Sequence, residues 1–210
     1  MVAVSHAESL QWQWLGRADY VQVHAQQLAL RERVWAGAPG SVLLCEHPPV
    51  ITLGRSARPE NVLAAGDVPT VQIERGGDVT YHGPGQLMVY PVVRLKKGVV
   101  DFLERIASAL ADACAEVGVP GVEFVREPTG MYLAGAKIAA CGIHVARGVS
   151  IHGYALDVET PDDMWKRIRP CGLCLTQTSV ARELAARELP AVTVAQLAAV
   201  AGPKLVATLL

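Results

Sequence analysis

RGGDVTYHGPGQLMVYP, Arg75 to Pro91, carries four glycines, two prolines and one histidine before turning apolar. It cannot be a helix, because glycine and proline both disfavour a helix interior and here they are dense. The residues before it, TVQIER (70–75), read as a strand that enters, and LMVYPVVRL (87–95) as the strand that leaves. A linker of this kind is either a structural turn or a backbone cradle, since glycine has no Cβ to keep a ligand away. It is not a phosphate-binding P-loop, because the GK[ST] ending and the following helix are missing. Nor does it match the GxGxxG dinucleotide fingerprint.

The rest of the chain punctuates itself around this stretch. QWQWLG (11–16) alternates as a strand does, and residues 20–36 have helical spacing, with Asp19 as a candidate N-cap and Gly37 at the stop. SVLLCEH (41–47) reads as a buried strand, and VITLGR (50–55) as a short extended piece. Pro91 points to an edge position or a bulge for its strand. Residues 99–118 form the clearest amphipathic helix, ending at Gly118. Strands follow at 122–127, 131–135, 137–146 and 149–158, the last three an antiparallel meander with tight turns at Gly135-Ala136 and Arg147-Gly148. PDDMWKRI (161–168) is a short helix with Pro161 in its first turn, and RPCGLCLTQTS (169–179) is irregular. Residues 180–188 and 193–210 are helical, the second interrupted near Pro203. The expectation is one α/β (α+β) domain spanning 1–210, a mixed and largely antiparallel sheet with helices on one side of it.

Composition excludes several classes. The chain has 210 residues, 51% of them hydrophobic and 19% charged, with a net charge of −1, which is unlike a disordered chain. No basic excess points to nucleic acid, no apolar run is long enough to span a membrane, and the N-terminus lacks the pattern of a signal peptide. The five cysteines, an odd number, argue against a disulfide framework and for a reducing, cytoplasmic location. Cys45 and Cys114 read as small buried hydrophobes.

Three positions carry candidate chemistry. His82 sits inside the glycine-rich stretch, as a loop or core histidine or as part of a site. Lys137, in AGAKIAACGIHV, is flanked by small apolar residues, so it is either a lysine of lowered pKa or an edge-strand lysine reaching for water. Cys171, in RIRPCGLCLTQTS, lies near Arg167 and Arg169, whose charges favour thiolate. With Cys174 it forms a CxxC; a zinc site there would need two more ligands, which His82, His144 or His152 would supply, but a single CxxC is a weak metal signal and no metal is expected.

RGGDVTYHGPGQLMVYP, GAKIAACGIHV and RPCGLCLTQTS, in that order and spacing, together resemble the octanoyl-[acyl carrier protein]:protein octanoyltransferases of lipoic acid biosynthesis. HPPVITLGR (47–55) and HGYALDV (152–158) are similar to further family segments. The resemblance covers roughly residues 10–180, leaving 181–210 as a helical tail, and it implies the fold of the biotin and lipoate ligase catalytic domain. It implies that Cys171 is a nucleophile and that Lys137 lowers its pKa. It implies an acyl site lined by the loop Arg75, Gly76, Gly77, Asp78, Val79, Thr80, Tyr81 and His82. Ala140-Cys141-Gly142 and Gly153-Tyr154-Ala155 would form its other walls. The sequence departs from the family pattern at Cys141, commonly aliphatic, and at Asp157, commonly asparagine. Cys174 is outside the motif, and MYLAGAK lacks a tryptophan frequent there.

The implied reaction passes an octanoyl group from octanoyl-acyl carrier protein to Cys171, then to a lysine of a lipoyl domain, in ping-pong order. The acceptors would be the lipoyl domains of 2-oxoacid dehydrogenase E2 subunits and the glycine cleavage H protein. No cofactor is expected beyond the phosphopantetheine that carries the substrate, and a monomer is the default. The acidic carrier would dock near the basic stretch Trp165 to Arg169. The alternatives are an ATP-dependent lipoate or biotin ligase on the same fold, which activates its acid as an adenylate, and a non-catalytic zinc or acyl-carrier-binding module.

Overall fold

A computed structural model describes residues 10–169 and 176–210. Cys171 and Cys174 therefore lie outside the described residues. In chain order the elements are β1 (Gln11–Arg17), α1 (Tyr20–Trp35), β2 (Ser41–Glu46), β3 (Val50–Leu53), β4 (Thr70–Gln72), β5 (Val79–His82) and β6 (Gln86–Val92). They continue as α2 (Val99–Glu116), β7 (Glu123–Val125), β8 (Gly130–Leu133), β9 (Ala136–Ala146), β10 (Val149–Asp157), α3 (Val180–Ala186) and α4 (Val194–Leu209). Asp19 caps α1 by accepting from the Gln22 N–H.

Among these residues the main sheet has seven strands in the order β1-β2-β6-β10-β9-β8-β7, and β4-β3-β5 form a separate three-stranded sheet. Only the β1–β2 and β3–β4 pairs are parallel, so the sheets are largely antiparallel as expected. The stretch read as one long loop holds a strand: Val79–His82 pairs antiparallel with Val50–Leu53, leaving Arg75–Asp78 and Gly83–Gly85 as the two tight linkers.

Side chains on the central strands alternate between two cores. Val42, Leu44, Leu87, Val89 and Leu156 pack with Ile106 and Leu110 of α2 and with Leu197 and Leu205 of α4. Their neighbours Leu43, Cys45, Met88, Tyr90 and Ala155 face Val23 of α1. Helices thus cover both faces, not one as the sequence reading has it: period-two alternation with every position apolar leaves no face for water.

Four further expectations are corrected. Pro91 lies in β6, an interior strand, where it pairs with Val42. The β6–β10 ladder runs from Gln86↔Asp157 to Val89↔Tyr154, breaks opposite the proline, and resumes at Arg94↔Val149 without a change of register. The proline's missing N–H thus falls in the gap, where Ser150 Oγ donates to the Pro91 carbonyl at 2.6 Å. Helix α4 runs through Pro203 without a break. Gly202 has no Cβ to collide with the proline ring, and the same bare position seats the Trp12 indole, which a Cβ would meet at 2.3 Å. The β8–β9 turn is centred on Ala134-Gly135, both at positive φ, one residue earlier than expected. The short helix after Pro161 is a 3-10 turn, Asp162–Arg167. None of the described helices is long and apolar enough to cross a membrane.

Candidate functional site

A cavity of about 400 Å³ opens where the linker before β5 meets β9 and β10. Arg75 to Thr80 and His82 line one side of it. The other walls include Ala140, Cys141 and Gly142 of β9 and Gly153, Tyr154 and Ala155 of β10. These two triplets are direct cross-strand partners: Ala140↔Ala155, Cys141↔Tyr154, Gly142↔Gly153. The cavity exists because small residues face one another where the sheet would otherwise be filled. Gly153 is needed for strand approach as well, since a Cβ there would come within 2.0 Å of the Val89 carbonyl oxygen.

The structure brings together every described site residue expected from the sequence except Tyr81. Strand alternation turns Tyr81 away from Thr80 and His82. Its ring is buried with Ile51 and Ile168, edge-on to Trp165 at 6.3 Å. The sequence reading also missed wall residues. Met88 and Tyr90 follow from the period-two pattern of β6, whereas Tyr20, Leu103 and the turn Arg126–Thr129 come from distant parts of the chain and carry no local signal.

The loop is held rigidly. The Arg75 guanidinium is buried and donates to the Thr52 carbonyl at 2.8 Å, to Thr52 Oγ1 at 3.0 Å and to the Gly76 carbonyl at 2.9 Å. Gly76 N–H donates to the Ile143 carbonyl at 3.1 Å, fastening the loop to β9. Asp78 accepts from the Arg58 and Val79 N–H groups and from Asn61 Nδ2. The loop is thus built from both neighbouring sheets, and its backbone needs no ligand to set it.

His82 belongs to a buried chain of hydrogen bonds. Gln86 Nε2 donates to Asp157 Oδ1 at 2.9 Å, which leaves Gln86 Oε1 to accept from His82 Nδ1 at 3.2 Å. His82 Nε2 then accepts from Thr52 Oγ1 at 3.4 Å, and that hydroxyl is itself an acceptor for Arg75. Burial first, then the Arg75 charge, hold the His82 imidazole well below the ordinary histidine range, so it is neutral with one tautomer. Asp157 is the odd member: burial pushes its carboxyl up to about 7 against the hydrogen bonds from Gln86 and Thr160. Next to His82, with ring centroids 6.5 Å apart, His47 donates from Nδ1 to the Ala18 carbonyl at 2.6 Å and accepts from Tyr90 Oη at 2.9 Å.

Lys137 is 6% exposed, which removes the reading of an edge lysine extended into water. A one-residue bulge in β9, opposite Met131 and Tyr132, redirects this side chain. Nζ donates to the Thr129 carbonyl at 3.2 Å and stands 5.8 Å from the Tyr132 ring centroid. The slot depends on Gly130, where a Cβ would meet Lys137 Cε at 2.7 Å. The Lys137 backbone binds the chain just beyond the CxxC: its N–H donates to the Thr176 carbonyl at 2.8 Å, and its carbonyl accepts from Thr178 N–H at 2.9 Å. On the near side of the CxxC, Arg169 N–H donates to the Asn61 carbonyl at 2.8 Å. The described thiols are poor nucleophiles at neutral pH. Burial pushes Cys141 up to about 11 and Cys114 up to about 12, and it raises Cys45 further.

The catalytic-domain model for lipoyl protein ligases A and B matches residues 19–201. An octanoyltransferase of Pseudomonas fluorescens (strain SBW25) is 43% identical over 172 residues, 79% of each chain. An octanoyltransferase of Xanthomonas euvesicatoria pv. vesicatoria (strain 85-10) is 42% identical over 161 residues, 75% of this chain and 69% of its own. Among solved structures, a bi-partite lipoate protein ligase from Thermoplasma acidophilum superposes with a TM-score of 0.68 at 14% identity, covering 96% of this chain and 84% of that one. Biotin protein ligase from Aquifex aeolicus, in complex with biotin and ATP, gives a TM-score of 0.54 at 13% identity, covering 95% and 70%. At such identities the two ligases bear on the fold alone. The sequence matches and the shared fold agree: this chain belongs to the lipoyl protein ligase A/B catalytic-domain family, and within it groups with the octanoyltransferases.

Proposed function

We propose that the protein transfers an octanoyl group from octanoyl-acyl carrier protein to a lysine of lipoyl domains through an acyl thioester on Cys171. The supporting observation is Lys137, a buried lysine in the wall of the cavity, whose backbone binds the chain immediately after the CxxC. Neutral Lys137 Nζ takes the Cys171 thiol proton, and the thiolate attacks the thioester carbonyl carbon. The new C–S bond forms as the bond to phosphopantetheine breaks, and the departing thiolate recovers the proton from Lys137. The acceptor lysine's amine then attacks the acyl-enzyme. An amide forms, the Cys171 thiolate leaves, and the amine's proton passes to Lys137. Exchanging one thioester for another is nearly isoenergetic, so neither step needs ATP. Two protein substrates served in turn by one site give ping-pong order. The Gly76 and Val79 N–H groups are already engaged within the protein, which leaves the backbone near Gly172 and the other loop N–H groups as oxyanion donors.

In this reading the acceptors are E2 lipoyl domains and the glycine cleavage H protein, and the enzyme is a cytoplasmic monomer requiring no cofactor of its own. The ligases among the solved structures are only 13–14% identical, whereas relatives at 42–43% identity are octanoyltransferases. The test is intact-protein mass spectrometry after incubation with octanoyl-acyl carrier protein. One octanoyl adduct, mapping to Cys171, is expected without ATP; Cys171→Ala abolishes it, Cys174→Ala retains it, and Lys137→Met slows its formation. An adduct on Cys174 or Cys141, or an absolute need for ATP, rejects the mechanism.

A further inference from the structure

We propose that His24, Glu74 and His152 form a binding site for one divalent transition-metal ion of the zinc class, at the edge of the cavity. The three side chains come from helix α1, from the residue before Arg75 and from β10, and their donor atoms all lie within 4.8 Å of one another. His24 Nε2 stands 3.1 Å from Glu74 Oε1, and His152 Nε2 stands 3.7 Å from Glu74 Oε2. Two donors on a tetrahedral zinc ion are about 3.4 Å apart, given bonds of roughly 2.0–2.2 Å, so the two observed separations bracket the required one.

His152 supplies the independent sign of a ligand. It is 2% exposed, and its Nε2 has no hydrogen-bond partner among the described residues. A buried ring nitrogen is almost always partnered, so one that is not marks a missing ligand or water. The backbone at His152 is also unusual: φ is 61°, rare for a residue with a side chain, and the backbone N–H donates to Gln27 Oε1 at 2.7 Å. The ring presents Nε2 to Glu74, 3.7 Å from Oε2. Two imidazoles and one carboxylate suit zinc, iron(II), cobalt(II) or nickel(II), and are a poor set for calcium or magnesium, which take oxygen donors. Each imidazole would offer its Nε2 lone pair with its proton on Nδ1. The two rings now stack with centroids 5.2 Å apart and must tilt out of that stack to converge on an ion. His24 and Glu74 are partly exposed, at 19% and 32%, and His152 lines the cavity, so the site is open both to solvent and to the cavity.

An ion there would join α1, the start of the glycine-rich loop and the β10 wall that continues into Gly153, three elements that share the cavity. The expected consequence is a stiffer wall and higher thermal stability, not a part in acyl transfer.

The test uses the full chain with Cys171→Ser and Cys174→Ser, stripped with chelator and titrated with Co²⁺. The proposal expects one equivalent bound, weak visible ligand-field bands without thiolate charge transfer, displacement by Zn²⁺ and a raised Tm. His24→Gln and Glu74→Gln should each weaken binding by roughly tenfold or more, while His144→Gln should leave it unchanged. Should a variant misfold, ¹⁵N-histidine spectra of the unsubstituted chain decide the matter: Zn²⁺ must perturb the His24 and His152 rings and spare His47 and His82. Absence of saturable binding at millimolar Co²⁺, or binding indifferent to His24→Gln and Glu74→Gln, overturns the site. Because Cys171 and Cys174 are substituted and no readout is activity, failure here is distinct from failure of the transferase reading.

Discussion

Asp157 sits in a place furnished with hydrogen-bond donors yet walled from water: Gln86 and Thr160 both donate to it, and it is 2% exposed. Its carboxyl titrates near 7 in the fold, mainly through burial, and near 4 in an unfolded chain. The folded state therefore holds this proton more tightly. Below about pH 4 both states are protonated and the site is neutral in its effect. As pH rises from about 4 to about 7 the unfolded state ionises first and stability is lost; above 7 the loss is complete, on the order of a few kcal/mol. Asp157→Asn, uncharged at every pH, should thus gain in Tm over the wild type as pH rises from 4 to 8, measured by paired thermal melts. A gap that does not change with pH would mean that charge is not what Asp157 costs the fold. At this scale the sequence was informative where a residue's neighbours are local. The small triplets 140–142 and 153–155 and the loop from Arg75 all line the cavity. It was silent on the His82–Gln86–Asp157 chain and on the His24–Glu74–His152 cluster, whose members meet only through tertiary packing.

At the scale of elements, periodicity identified helices α1 and α2 and all four strands of the β7–β10 meander, because their patterns are long or their turns glycine-marked. It failed where tertiary contacts override a local rule, as at Pro91 and Pro203, and where a strand of four residues hid inside a glycine-rich run. The basic turn Trp165–Arg169 shows what an element adds to a charge pattern. Arg167 is turned inward, donating to the Ala65 carbonyl at 3.2 Å with Asp67 at 3.9 Å, while Lys166 and Arg169 are exposed. If an acidic carrier protein docks here, Lys166→Glu with Arg169→Glu should weaken its use severalfold at low salt and flatten the salt dependence of kcat/KM, since exposed charges act mainly on encounter. Activity toward a short octanoyl thioester should be unchanged. Equal losses with both donors would mean that the turn supports the fold and is not a docking surface.

Across the whole molecule, the two faces of the main sheet do different work. Helices α2 and α4 seal one face, and α4 alone buries Leu197, Leu205 and Leu209. At roughly 1.5–3 kcal/mol per buried leucine, these three contribute about 5–9 kcal/mol, comparable to the net stability of a typical domain. A chain ending at Pro190 should therefore lose its cooperative thermal transition by circular dichroism; a sharp melt near the full-length Tm would show that α4 is dispensable. The facing pairs Ala140↔Ala155 and Gly142↔Gly153 then take on a further meaning. Strands locked in register between layers cannot retreat to admit a longer guest, so the hollow they leave works as a ruler cut into the sheet. If an acyl chain is seated there, each methylene would gain about 0.8 kcal/mol, so guests two carbons apart would differ by roughly an order of magnitude in affinity. Enlarging Ala140 or Ala155 by one methyl group would shorten that ruler by about one carbon, which makes chain length a quantity written in side-chain volume on two adjacent strands.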